Sequence, residues 1–265
     1  MKKLVVLFLL FVGIAAAGSA IAAESVTCWF PPGFKEAQAK AITDALTANS
    51  GVKVTPRLAK SYPEIFSAFA TNQPNLTYAG SFAQSIISAR KLGTPLVQSA
   101  DGKEMYSGIL ICPKDKDPET ILKQSPQQIA FAKGASSGES TAKAATGGKA
   151  EISVASHGDA VKAVVDGKAQ AAVVKDWWWL NTEKNYSNLK SYRIPGFSEQ
   201  RNPDNVLTAS NAVSKSVAEK ITLAAMASSA AFGEKSVILP FDASQLSFSL
   251  GLMKKGNIDP LVYSW

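Results

Sequence analysis

Strand-like and helix-like patterns alternate along most of this 265-residue chain, and such alternation leaves few folds open. Strands separated by helices line up side by side in a sheet, with the helices packed on its faces. Residues 25–30 read as a strand, and 35–47 as a helix with Ala37, Ala41, Ala45 and Leu46 apolar. Residues 52–58 form the next strand. Ser61-Tyr62-Pro63-Glu64 then has the form of a capping box with proline inside the first turn, opening a helix through Phe69. Residues 76–79 make a short strand, and Gly80-Ser81 starts a helix through Ala89. This series predicts a mostly parallel sheet.

Past Met105 the pattern changes. Residues 106–112 are an apolar strand, and 113–118 are polar and bounded by prolines, which marks them as a crossing between two lobes. A second α/β series follows: strand 129–131, helix 139–145 and strand 151–155. A helix after Ser156-His157-Gly158-Asp159 is closed by Gly167, then come strand 171–175 and a helix from Trp177. Residues 195–205, with two prolines, form the return crossing. Val213, Val217, Ile221 and Ala225 recur at four-residue spacing, as on a helix that buries one face. The expected organisation is a leader over 1–23, a first lobe over 24–112, a second lobe over 113–204, and the first lobe resumed over 205–265.

The leader is read from its chemistry. Lys2 and Lys3 precede an apolar run from Leu4 to Ile14, and Ala20-Ile21-Ala22 supplies an A-x-A cleavage site, the pattern of a secretory signal peptide. The expected location is therefore periplasmic. The two lysines leave with the leader, so the formal charge of +7 falls to +5. That scattered, modest excess suits a small anion and argues against nucleic acid. Cys28 and Cys112 either pair in the oxidising compartment or remain as buried thiols. One histidine and two distant cysteines do not make a zinc site, and no cofactor is expected.

The chemistry concentrates at residues 128–143, QIAFAKGASSGESTAK, which read as strand, serine-rich turn and helix. Such a turn aims backbone N–H groups and hydroxyls at one point, backed by the positive end of the helix dipole, and so builds an anion site. Gly134-Ala135-Ser136-Ser137-Gly138 also satisfies the G-x-S-x-G pattern of a hydrolase nucleophile. That reading makes Ser136 catalytic. It fails on the triad, because the lone histidine, His157, has no separately placed acid before it in the chain.

Tyr62, Ser81, Ser136, Ser137, His157 and Asp176 each fall at a turn between strand and helix, and Tyr106 begins the crossing strand. Open α/β sheets bind ligands at such strand ends. Trp177, Trp178 and Trp179 cannot all share one helix face, so one lines a cleft while the others pack elsewhere.

Taken in order, Ser61-Tyr62-Pro63-Glu64, Gly80-Ser81, Tyr106 before an apolar strand, Ser136-Ser137-Gly138 before a helix, Ser156 to Val161, and Ala171 to Asp176 resemble the periplasmic phosphate/phosphite/phosphonate-binding proteins of ABC transporters. The resemblance spans nearly the whole chain after the leader. It implies an α/β, two-lobed type II periplasmic-binding fold with the ligand cleft between the lobes. It also implies a monomeric, non-enzymatic protein that captures a small oxyanion and delivers it to a membrane permease. The alternative within the same fold is a sensor or interaction module. Carried over, the ligand-binding residues are Tyr62, Ser81, Tyr106, Ser136, Ser137, His157 and Asp176. The chain departs from the family at Ala135, where a serine is usual, and at Asn75, where an acid is common.

Overall fold

The computed structural model describes residues 24–265, so the expected leader lies outside the described residues. The chain begins with β1 (Ser25–Phe30), α1 (Glu36–Ser50), β2 (Lys53–Leu58), α2 (Tyr62–Phe69), β3 (Asn75–Ala79), α3 (Ser81–Ala89) and β4 (Gly93–Ala100). It continues through β5 (Met105–Tyr106), β6 (Gly108–Pro113), α4 (Pro118–Gln124), β7 (Ile129–Ala132), α5 (Ser137–Ala145), β8 (Ile152–Val154), α6 (His157–Val165) and β9 (Ala171–Lys175). The remainder is α7 (Asp176–Thr182), β10 (Leu189–Tyr192), β11 (Asn202–Pro203), β12 (Val206–Ser210), α8 (Lys215–Ala227), α9 (Ser229–Phe232), β13 (Val237–Pro240) and α10 (Ser247–Lys255).

Two sheets organise these elements. One has six strands in the order β13-β4-β12-β3-β1-β2, the other five in the order β10-β6-β9-β7-β8. Neither is mostly parallel as the alternation suggested. β1 runs parallel to β2 and β3, and β7 to β8 and β9, but β6 and β12 each pair antiparallel with both neighbours. β6 and β12 are the first long strands after each passage between sheets. They enter without the helical crossover that would turn the chain round for parallel pairing.

The passages themselves lie elsewhere than at the expected first crossing. β6 already belongs to the second sheet, so residues 113–118 follow a strand of that sheet and lead into α4. The chain passes through β5 and returns through β11, which pair antiparallel with Asn202 opposite Tyr106. Proline and polar residues mark exposed turns as readily as crossings, and 113–118 form such a turn between β6 and α4. The second expected crossing, 195–205, does contain β11.

Both sheets are covered on both faces, which explains why their central strands β3, β12, β7 and β9 are buried throughout. Cys28 and Phe30 pack with Ile42 and Leu46 of α1 and Ile221 of α8, while Trp29 faces the other way toward Ile65, Phe66 and Phe82. In β6, Ile109 and Ile111 join Val161 of α6, whereas Leu110 and Cys112 join Phe131 and Ala142. The two-residue period of a strand produces this division. Cys28 and Cys112 are therefore buried free thiols, one in each sheet.

Local signals held unevenly. Ser156 caps α6, its side chain accepting from the Asp159 N–H at 3.1 Å. The capping box at Ser61 does not form: Ser61 makes no side-chain cap, and the Glu64 carboxylate accepts from the Lys60 N–H at 3.1 Å. Pro95 and two small polar residues blur the strand pattern of β4 in the sequence. It is nevertheless an interior strand, and the ladder register of β12 shifts between Leu207 and Thr208, where Pro95 lies opposite. Ile42→Ala and Ile111→Ala each hollow a different, fully buried core. Each substitution should cost about 2–5 kcal/mol of stability, measured by urea denaturation.

Candidate functional site

The start of α5 is the centre of the site. Gly134 holds φ at +64°, and Ser136 then takes extended backbone as N-cap, its Oγ accepting from the Gly138 N–H at 3.1 Å. The first-turn Ser137 N–H donates to the Tyr106 phenol oxygen at 2.9 Å. An oxygen from the crossing strand thus occupies the anion-favouring end of this helix. A side chain at Gly138 would press on the Val173 carbonyl at 3.0 Å, so glycine lets the helix start approach β9.

Around that point the hydroxyls of both lobes meet. Ser81, the first residue of α3, shares hydrogen bonds of 2.8 Å with Tyr106 and with Ser137, and the Tyr106 hydroxyl also donates to Ser137 Oγ at 3.1 Å. Ser81, Tyr106 and Ser137 are fully buried. Tyr62, at the start of α2, donates to the Ala135 carbonyl at 3.1 Å. His157, at the start of α6, places Nε2 3.3 Å from Ser136 Oγ. The starts of α2, α3, α5 and α6 therefore converge, two from each lobe, and their positive dipole ends add. Six of the seven residues expected at the site are joined in this cluster.

Asp176 stands slightly apart. Its carboxylate accepts from the Ser107 hydroxyl at 2.7 Å, from Arg193 at 3.4 Å and from the Trp177 N–H at 2.8 Å. It is buried but none of these bonds reaches the serine turn. Two more acids border the cleft, and each also has a basic partner from the chain. Glu139 accepts from the Gly134 N–H and the Tyr263 hydroxyl, both at 2.7 Å, and lies 3.5 Å from Lys143. Asp204 pairs with Lys175 in a contact where both side chains are about nine-tenths buried. With every one of these carboxylates neutralised nearby, the helix ends and hydroxyls set the sign of the cleft, and that sign favours an anion.

Several of these residues had no signal in the sequence. Lys175, Asp204, Arg193, Tyr263 and Trp265 reach the site only through tertiary contacts. Glu139 carried a usable cue, an acid in the first turn of the helix behind the serine turn. Trp265 stacks on Tyr62 with ring centroids 5.9 Å apart and on Phe66 at 4.8 Å, and any Cβ at Gly134 would strike its indole. Of the three consecutive tryptophans, Trp179 is core, Trp178 lies 5.7 Å from the His157 ring, and Trp177 lies beneath the Lys175 ammonium. Two of the three face the site rather than one.

His157 is held neutral. Burial lowers its pKa from 6.5 to about 4, and the nearby Lys175 charge pushes the same way. Its Nδ1 is buried without a hydrogen-bond partner. The ring thus meets Ser136 as an uncharged group across the neutral pH range. Burial likewise raises the pKa of the Tyr62 phenol, with Tyr106 and Asp204 adding to the effect, so its hydroxyl keeps its proton. Among the described residues there is no cluster of three or more His, Cys, Asp or Glu side chains placed to hold a metal, and no helix long and apolar enough to cross a membrane.

Comparison with known proteins identifies the family and the fold. A family model described as "ABC transporter, phosphonate, periplasmic substrate-binding protein" matches residues 26–245. No curated protein sequence matches the chain. Among solved structures, a Xanthomonas citri protein bound to ATP superposes with a TM-score of 0.69 at 11% identity, over 88% of this chain and 98% of that one. PhnD1 from Prochlorococcus marinus, in complex with methylphosphonate, gives 0.66 at 13% identity over 88% and 98%. A binding-protein component of an ABC phosphonate transporter from Pseudomonas aeruginosa gives 0.59 at 14% identity over 88% of each chain. At these identities the likeness is one of fold.

The neutral His157 has a measurable consequence. Its folded pKa lies below the unfolded value, so its contribution to stability is complete above pH 6.5 and is lost as pH falls toward about 4. His157→Gln should flatten the acid side of the stability profile by on the order of 2 kcal/mol, read from thermal unfolding between pH 7 and pH 4.

Proposed function

Because the chain belongs to the periplasmic phosphonate-binding proteins of ABC transporters, we propose that its lobes close on a small phosphonate-type oxyanion held by Ser136, Ser137, Ser81, Tyr62, Tyr106 and His157. The observation that carries this reading is the meeting of hydroxyls from both lobes at the start of α5, with the Tyr106 oxygen against the Ser137 N–H. Those hydroxyls donate to one another in this closed arrangement. An oxyanion offers each a stronger acceptor, since hydrogen bonds to a charged oxygen are about twice as strong as neutral ones. The hinge is the β5–β11 pair, the only place where both passages between sheets run side by side among the described residues.

Capture, not catalysis, fits the details of Ser136. Its 3.3 Å approach to His157 resembles half of a nucleophile pair. Its oxygen, however, already accepts from the Gly138 N–H, and the far nitrogen of His157 meets no acid to orient it. Asp176 acts on this reading as a support for the crossing strand. It fixes Ser107, the neighbour of Tyr106, with Arg193 as its counter-ion. The captured ligand then passes to a membrane permease.

Replacing both Ser136 and Ser137 with alanine should weaken methylphosphonate binding by about 2–4 kcal/mol in calorimetry, with little loss of fold. Unchanged affinity would remove the serine turn from the site. Small-angle scattering at saturating methylphosphonate should give a smaller radius of gyration than the ligand-free protein. Superimposable profiles would exclude hinge closure about β5 and β11.

A further inference from the structure

Among the described residues the Lys175–Asp204 pair is the one buried ion pair that joins the lobes. Lys175 ends β9 in the second sheet, and Asp204 lies between β11 and β12 where the chain has returned to the first. Asp204 is fixed from several sides. Its N–H donates to the Glu104 carbonyl at 2.7 Å, its own carbonyl accepts from the Gln98 amide at 2.9 Å, and its carboxylate lies so close to Gly80 that a Cβ there would come within 2.6 Å of it. The Lys175 ammonium sits 4.1 Å from the centroid of the Tyr106 ring and 4.6 Å from that of Trp177. Tyr106 carries its hydroxyl to the start of α5, so the pair stands one tyrosine ring away from the hydroxyl cluster.

We propose that this pair selects phosphonates whose carbon substituent is small and uncharged, an inference that rests on the oxyanion reading of the cleft. On this proposal the substituent of an anion seated at the serine turn runs along the Tyr106 ring, whose hydroxyl bonds the Ser137 N–H and whose face lies 4.1 Å from the Lys175 ammonium. An ammonium on that substituent has a partner there only by displacing Lys175 from Asp204, and a carboxylate only by displacing Asp204 from Lys175. Either exchange strands a buried charge of the chain itself, a strongly unfavourable outcome. A methyl group carries no charge to exchange with either partner and leaves the pair intact. The chain thus supplies internally the cation that would otherwise be recruited from the ligand to face Asp204.

The test is calorimetry with three probes of different substituent charge: methylphosphonate, 2-aminoethylphosphonate and phosphonoacetate. The parent protein should bind methylphosphonate at least about 100-fold more tightly than either charged probe, the scale set by stranding one buried partner. Lys175→Met should shift the preference toward 2-aminoethylphosphonate by at least about 10-fold, because Asp204 then lacks its cation. Asp204→Asn should shift it toward phosphonoacetate in the same way. A parent that binds a charged probe within about 10-fold of methylphosphonate overturns the inference, as do folded variants that keep the parent's order of preference. Circular dichroism establishes folding of each variant, and the parent's ranking decides the matter if neither folds. If the parent binds none of the three probes, the oxyanion reading itself falls and takes this inference with it. A parent that binds them all alike spares the first and sinks the second.

Discussion

The bond from the Ser137 N–H to the Tyr106 phenol oxygen is the contact on which the cleft depends. It joins the first turn of α5 in one lobe to the strand that carries the chain between lobes. A helix start must find an acceptor for its free N–H groups. Here the acceptor is a side chain of the strand that passes between the sheets, and Ser81 of the other lobe is drawn to the same point by hydrogen bonds to Tyr106 and Ser137. Glu139 keeps the preceding turn in shape by accepting from the Gly134 N–H. The geometry of the hydroxyl cluster and that of the passage between the sheets are therefore set by one set of atoms.

Charge follows the same economy. Three carboxylates near the cleft would oppose an anion if left alone, yet Asp176 has Arg193, Glu139 has Lys143 and Asp204 has Lys175. In the Lys175–Asp204 pair both members are buried, and removing one there costs far more than the intact pair contributes. The field that remains comes from the starts of α2, α3, α5 and α6, of which α3 carries no acid in its first turn. Backbone dipoles of this kind are fixed by the fold and do not titrate, unlike a histidine or lysine site.

Much of this was legible from residue order alone, and the pattern of success has physical causes. The turn at residues 134–138 announced itself because glycine and serine have distinct backbone and capping chemistry. The placement of Tyr62, Ser81, Ser136, Ser137 and His157 at helix starts followed from local strand-to-helix transitions. What escaped was set by distant partners. Strand β4 is held by its neighbours despite Pro95, and β6 and β12 run antiparallel because of where the chain came from, which no local pattern encodes. The position of Asp176 after a strand was legible, but its partners Ser107 and Arg193, 69 and 17 positions away, were not. Lys175, its immediate neighbour, points instead into the gap between lobes.

The two cysteines give each lobe its own reporter. Cys28 lies in the core of the first sheet and Cys112 in that of the second, both free and buried. Burial raises both thiol pKa values, so neither offers a reactive thiolate while its lobe is intact. An alkylating reagent therefore acts as a clock for the opening of each half separately, and peptide mapping of the label tells which half opened first. A single chain with one silent thiol per lobe makes it possible to ask whether the halves unfold together, without introducing any probe of foreign chemistry.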